Sequence, residues 1–312
     1  MLTYAMRRIL GLLPVLAAVI ILTFLANQVI PGDPVTIMLS DQSADRVLAA
    51  RLRADYGLDL PLWQQFINYV AGILSGDFGK SFRFVGVPVI DVIKDALFVS
   101  PILALSATVI AVPVGVAVGV FAALRHNTWA DTTVILLVIA GISIPNFALS
   151  AFLVYIFAVK LGLVPVAGWG TFDRAILPAL ILAVPPAAQI ARLSRTYMLE
   201  VLQQDYIRTA RAKGLNRRLV VYRHALRNTL VPLLTTIGII FGVLLSATFV
   251  VETIFNIPGL GRMAIQAIFS RDYPVTMAIV LLFTLFFLLI NLIVDLLYGV
   301  IDPRIRLGGS PT

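Results

Sequence analysis

Few residues in this chain stand where they could do chemistry. The run Gly76-Asp77-Phe78-Gly79-Lys80-Ser81 comes close to the Gly-x-x-x-x-Gly-Lys-Ser/Thr loop whose backbone N–H groups wrap a phosphate, but Leu74 occupies the first glycine position. It reads as a turn-rich structural loop. His126 and His224, the only histidines, sit among Arg and Asn and not in pairs with Asp or Glu at ligand spacing, and Cys is absent. Neither a metal site nor a thiolate nucleophile can be built from them. No Ser/His/Asp pattern and no His-Glu-x-x-His is present, which argues against a membrane-embedded hydrolase. Asp295, Asn146 and Gln189 lie inside long apolar runs, where a polar side chain is costly and faces a partner or a water-filled cavity. Asp295 reads first as half of a structural pair with an Arg at a span end, and all three are candidates to line a polar pathway.

The most informative segment does no chemistry of its own. Asp205 to Gly214 is a short, basic, small-residue stretch whose first residue suits an N-cap and whose last suits the position after a helix C-terminus. Helical spacing puts Tyr206 and Ala210 on one face, with Thr209 and Lys213 adjacent and Ile207 and Arg211 beside them. Asn216 then suits the cap of a second basic helix, Arg217 to Arg227. A helix of two or three turns is marginal in water by itself. It needs a surface to dock on.

The elements that must position these residues are apolar. The chain is 60% hydrophobic and 13% charged, with a mean hydropathy of +0.97, far outside soluble domains. Stretches of roughly 20 apolar residues cross a hydrocarbon core. Six qualify: Ile9–Ile30, Ala96–Leu124, Thr133–Val159, Ile176–Leu199, Leu230–Val251 and Val275–Ile301. Pro14, Pro113, Pro145 and the pair Pro185-Pro186 predict kinks. The first stretch reads as a retained span, since it is too long for a signal-peptide core and ends without a cleavage site. Arg7, Arg8, Arg125, nine basic residues between Arg192 and Arg227, and Arg304 with Arg306 share one side if the spans are six. By the positive-inside rule that side, with both termini, is the cytoplasm. The excess of 24 Lys and Arg over 16 Asp and Glu is thus a topology signal and not a nucleic-acid footprint. Four units follow: the amino terminus and first span (1–30), an extracytoplasmic insertion (31–95), a five-helix core (96–302) holding a cytoplasmic loop at 200–228, and a cytoplasmic tail (303–312). In the insertion, Asp33 suits a cap before Pro34, Ala44–Tyr56 and Leu62–Leu74 read as helices, and amphipathic Val87–Phe98 reads as an interfacial helix.

The 205–214 segment, followed by Arg223-His-Ala-Leu-Arg-Asn228 and Pro232, resembles the cytoplasmic-loop signature of ABC importer permeases. The group it is most similar to is that of dipeptide, oligopeptide, glutathione and nickel importers, and within it the first permease subunit, of dipeptide permease B type. Matches run the length of the chain: Pro31-Gly32-Asp33-Pro34, Gly76-Asp77-Phe78-Gly79, Glu252-Thr-Ile-Phe255 with Pro258-Gly-Leu-Gly261, Arg271-Asp-Tyr-Pro274, and Asn291 to Gly299 ending at Asp302-Pro-Arg304. Ile207 and Arg208 stand where the general signature opens Glu-Ala-Ala, as is usual in the peptide and nickel group.

The resemblance implies an all-α, six-span type I importer permease with a mostly helical insertion. It implies that the loop helix docks on a cytoplasmic ATPase, Ala210 and Gly214 permitting close approach and Tyr206, Ile207, Arg208, Arg211 and Lys213 making contact. Asp205, Thr209 and Ala212 complete that helix. The implied partners are a second, related permease, two ATPases that carry the ATP and Mg, and an extracytoplasmic solute-binding protein, with membrane lipid around them. No cofactor is expected on this chain, and it would be a translocation subunit and not an enzyme. Short peptides are the implied solute, with nickel, glutathione and sugar- or opine-type solutes as alternatives. An ion-gradient carrier is the reading from another class, and it would require internal repeats and paired intramembrane charges.

Overall fold

The computed structural model describes residues 2–29, 33–39 and 46–301, and these are almost wholly helical. The elements are α1 (Leu2–Val29), α2 (Pro34–Leu39), α3 (Arg46–Asp55), α4 (Leu62–Ser75), α5 (Val89–Ile93), α6 (Val99–Leu124), α7 (Trp129–Ser143), α8 (Asn146–Leu153) with a π-helical turn at Val154–Lys160, α9 (Phe172–Leu202), α10 (Asp205–Ala212), α11 (Arg217–Leu219) with a π-helical turn at Val220–Ala225, α12 (Leu226–Ile254), α13 (Leu260–Phe269) and α14 (Tyr273–Ile301). The signature residues Pro31 and Gly32 and the 303–312 tail lie outside the described residues.

Among the described residues five helices are long and apolar enough to cross a membrane, and a sixth span exists only if a pair bent by 102° is counted as one. That pair is α7 and α8, so the kink expected at Pro145 is a bend sharp enough to divide Thr133–Val159 into two helices. The break follows from Pro145, whose ring disfavours helical backbone in the residue before it. Ile144 is accordingly extended, with φ −79° and ψ 118°. The helices carry on through Pro14, Pro113, Pro185, Pro186 and Pro232.

The main seam joins α6 to α9. Lipid tails are as apolar as the helices, so association relies on close packing and on polar contacts between them. A Cβ at Gly115 would overlap the Ala187 carbonyl and Ile190, and one at Gly119 would overlap the Ala191 carbonyl and Ser194. Gly238 and Gly242 play the same part against Asn291 and Phe287 on α14. The buried core grows from this seam: Leu103, Ala107 and Ala111 of α6 meet Ile181, Leu182 and Ile190 of α9 and Phe241, Leu244 and Leu245 of α12. Helix α1 packs chiefly on α14, where Arg8 meets Asp295 at 3.2 Å.

The insertion is held together by Asp33 and tied to the core by the buried carboxylate of Asp272. Asp33 caps α2 through the Val35 N–H at 3.0 Å and pairs with Arg53 of α3. The near-phosphate loop is structural: Gly76 ends α4 at φ +80°, the Gly79 N–H donates to Asp77 at 2.8 Å, and Ser81 donates to buried Asp272, which also accepts the Phe82 N–H at 3.0 Å. On the same side of the core, Glu252 accepts the Ser100 hydroxyl at 2.5 Å and the Arg262 N–H at 2.7 Å, and fills the space that a side chain at Gly259 would need. Val87–Phe98 does not form a single helix. Only Val89–Ile93 is helical, and Val89, Ile93 and Ala96 are buried against α13 and α14.

Gly119→Leu should drive α6 from α9 and cost about 1–3 kcal/mol or more, as overpacking does. The measurement is Tm in detergent by size-exclusion or fluorescence; a Tm equal to the parent's would mean that the seam does not need glycine.

Candidate functional site

The 205–214 helix forms, displaced by one residue from its expected start. Asp205 is not the N-cap: Gln204 takes the extended cap conformation, φ −67° and ψ 147°, and its carbonyl accepts the first helical N–H groups, from Ile207 at 3.0 Å and Arg208 at 3.3 Å. Asp205 sits in the first turn, where a carboxylate favours the positive end of the helix dipole, and it lies 3.6 Å from Arg208. The carboxyl end closes as a full Schellman motif. Gly214 is left-handed at φ +74°, its N–H donates to the Arg211 carbonyl at 3.0 Å, and the Leu215 N–H reaches the Ala210 carbonyl at 3.3 Å. Thr209 donates its hydroxyl back to the Asp205 carbonyl.

The orientation of α10 departs from what the sequence suggested. Ile207 is 0% and Ala210 8% exposed, three residues apart on one face, so both turn into the chain itself. They meet Val120 and Ala123 at the end of α6, Met198 of α9, and Val220, Val221 and Ala225. This pairing outranks the Tyr206–Ala210 face because α10 must bury its one branched aliphatic residue against its own core before anything else binds. The outward face is therefore Asp205, Arg208, Thr209, Arg211, Ala212, Lys213 and Gly214. Tyr206, 42% exposed, lies at the edge, where its phenol oxygen accepts from Asn228 Nδ2 at 2.8 Å.

The seat under α10 has its own fastenings. Asn216 caps the next segment by accepting the Arg218 N–H at 2.9 Å, but no separate basic helix follows. Arg217 to Ile254 runs as one long helical unit, with the π-helical turn absorbing an extra residue. Asn228 also donates to the His224 carbonyl at 3.1 Å. Asp131, buried at the start of α7, takes both forks of Arg195 from α9, Nε at 2.7 Å and Nη2 at 2.8 Å. His126 Nδ1 stands 3.3 Å from the same carboxylate and 3.1 Å from Arg195, so His126 does have an acidic partner, five residues on. Sequence reading missed Asp131 because such spacing matches no ligand pattern, although a lone Asp opening an apolar helix was a usable signal.

The three pathway candidates meet different surroundings. Asn146 is half-buried at the start of α8, and its Oδ1 has no hydrogen-bond partner among the described residues. Gln189 is exposed on the face of α9 that also carries Arg192 and Thr196, away from the α6 seam. Asp295 is spoken for by Arg8, the structural pairing its position implied. Ile207→Ala should cost about 2–5 kcal/mol of the seat's packing and expose 203–216 to protease, whereas Arg208→Ala should leave the digestion pattern unchanged. Equal protection in both variants would contradict the inward face.

Residues 115–307 match the family described as binding-protein-dependent transport system inner membrane component, and residues 1–96 match the N-terminal region described for such membrane components. The chain is similar to the glutathione transport system permease protein GsiC of Shigella flexneri serotype 5b, 43% identical over 306 residues that cover 98% of this chain and 99% of that one. It is 42% identical, over the same shares, to GsiC of Escherichia coli strain K12. The fold resembles that of a chain in the inward-facing MetNI methionine ABC transporter, with a TM-score of 0.52, 21% identity, and coverage of 69% of this chain and 96% of that chain. With one family matched across most of its length, the chain belongs to the binding-protein-dependent transport system inner membrane components, as a permease subunit of an ABC importer in the dipeptide, oligopeptide and glutathione group.

Proposed function

We propose that this permease carries glutathione or short peptides of similar size, forming half of the translocation pathway beside a second, related permease, and that α10 is its contact with a cytoplasmic ATPase. The observation that carries this reading is the division of labour on α10. One face is locked into the chain by Ile207 and Ala210, and the other presents Arg208, Arg211 and Lys213 to solvent. A helix fixed in this way transmits movement of a bound partner to α6, α9 and α12, whose residues form its seat. The membrane body then responds as a two-state element biased by whichever conformation the partner prefers. ATP and Mg belong to that partner. The charge distribution supports a cytoplasmic location for α10 and both termini, with the insertion on the opposite face as a docking surface for the solute-binding protein. The names of the glutathione permeases similar to this chain support a small peptidic solute. Asn146 and Gln189 remain the pathway candidates. Asp295, held by Arg8, is better suited to joining α1 to α14.

Arg208→Glu with Arg211→Glu should abolish co-purification of the ATPase and ATP-dependent uptake while the chain stays folded in the membrane. Retention of both would sink the docking role. In proteoliposomes with the complete importer, labelled glutathione uptake should be competed by short peptides; uptake of nickel and not of glutathione would replace the solute assignment.

A further inference from the structure

We propose that α4 lies in the membrane interface, with the stripe Trp63, Ile67 and Leu74 immersed in lipid at the leaflet where α1 ends. Four observations converge on this. First, the 14 residues of α4 include no Asp, Glu, Lys or Arg. A solvent-facing helix in a binding surface would rarely be so bare of charge. Second, its faces are separated. Phe66 and Tyr69 turn to α1, Gln65 donates to the Leu60 carbonyl at 2.8 Å, and Trp63, Ile67 and Leu74 stand 65%, 55% and 84% exposed on one side. Gln64 and Asn68 form the polar edge on the other side of that stripe, which is the pattern of a helix lying flat between hydrocarbon and water.

Third, α4 is fastened to a surface that lipid already covers. Phe24 of α1 packs edge-on against Phe66 at a centroid distance of 5.2 Å and stacks on Tyr69 at 6.0 Å. Around it Ile21, Leu22, Leu25 and Val29 of the same span are exposed, and only 6% of the span's apolar window is buried in the protein. Fourth, the depth is right. Phe24 precedes Val29 by five residues, which at the helical rise places the α1–α4 contact roughly 7 Å inside the carboxyl end of α1. That falls within the ~5–10 Å to which interfacial helices bury their apolar faces. Trp63 is of the type enriched at this level. Only the membrane-spanning character of α1 is needed, whichever solute the chain carries.

The chain contains no cysteine, so single-cysteine variants can be spin-labelled directly. Labels at Trp63→Cys, Ile67→Cys, Leu74→Cys and Asn68→Cys would be read by power saturation with oxygen and with a water-soluble nickel chelate. The measurement uses the full chain, reconstituted in phosphatidylcholine and phosphatidylglycerol vesicles with cysteine-free partner subunits. Positions 63, 67 and 74 should show an oxygen-to-nickel accessibility ratio severalfold above that at 68. A ratio at 63, 67 and 74 as low as at 68 would place the stripe in water. Low accessibility to both reagents at all three would mean that a protein partner covers it. Either result overturns the assignment.

Discussion

The backbone contact between α6 and α9 is the constraint on which the rest of this permease depends. In a hydrocarbon surround there is no gain from burying one apolar helix against another, so what holds two spans is how closely they approach. Gly115 and Gly119 bring α6 onto the carbonyls of Ala187 and Ala191, and the buried core extends from that line. Both ends of the seam are then put to use. At one end Val120, Ala123 and Met198 form the seat for α10, and at the other Ser100 of α6 reaches Glu252. A change of spacing at the glycines would therefore be felt at both ends.

Carboxylates supply the directional contacts that close packing lacks. Asp131 binds Arg195 below the seam, Glu252 binds Ser100 and the backbone after Pro258, and Asp272 binds Ser81 and the loop after it. Each is buried and each accepts several donors, which is the condition under which a buried charge is tolerated. Each also joins segments far apart in the chain, by 64, 152 and 191 positions respectively. The sharp turn at Arg271, left-handed at φ +56°, aims Asp272 at the insertion.

The two amphipathic helices obey one rule in different surroundings. A short helix is not stable alone, so each is anchored by a few side chains of its own and leaves another face for a partner. For α10 the anchors are aliphatic and the free face is basic, which suits a protein groove. For α4 the anchors are aromatic and the free face is apolar and uncharged, which suits lipid.

Much was legible in the sequence because it rests on short-range physics. Apolar run length located α1, α6, α9, α12 and α14; Gly214 marked its C-terminal motif, Asn216 its cap and Asp33 with Pro34 the start of α2, each within a turn of the backbone it acts on. What only the tertiary structure decided was direction and partnership. It turned Ile207 and Ala210 inward, set the size of the bend at Pro145, buried Val89 and Ile93 while leaving Trp63 and Leu74 outside, and paired His126 and Arg195 with Asp131. Hydrophobic periodicity shows that a helix has a face to bury, but which neighbour receives it depends on the approach of segments distant in the chain.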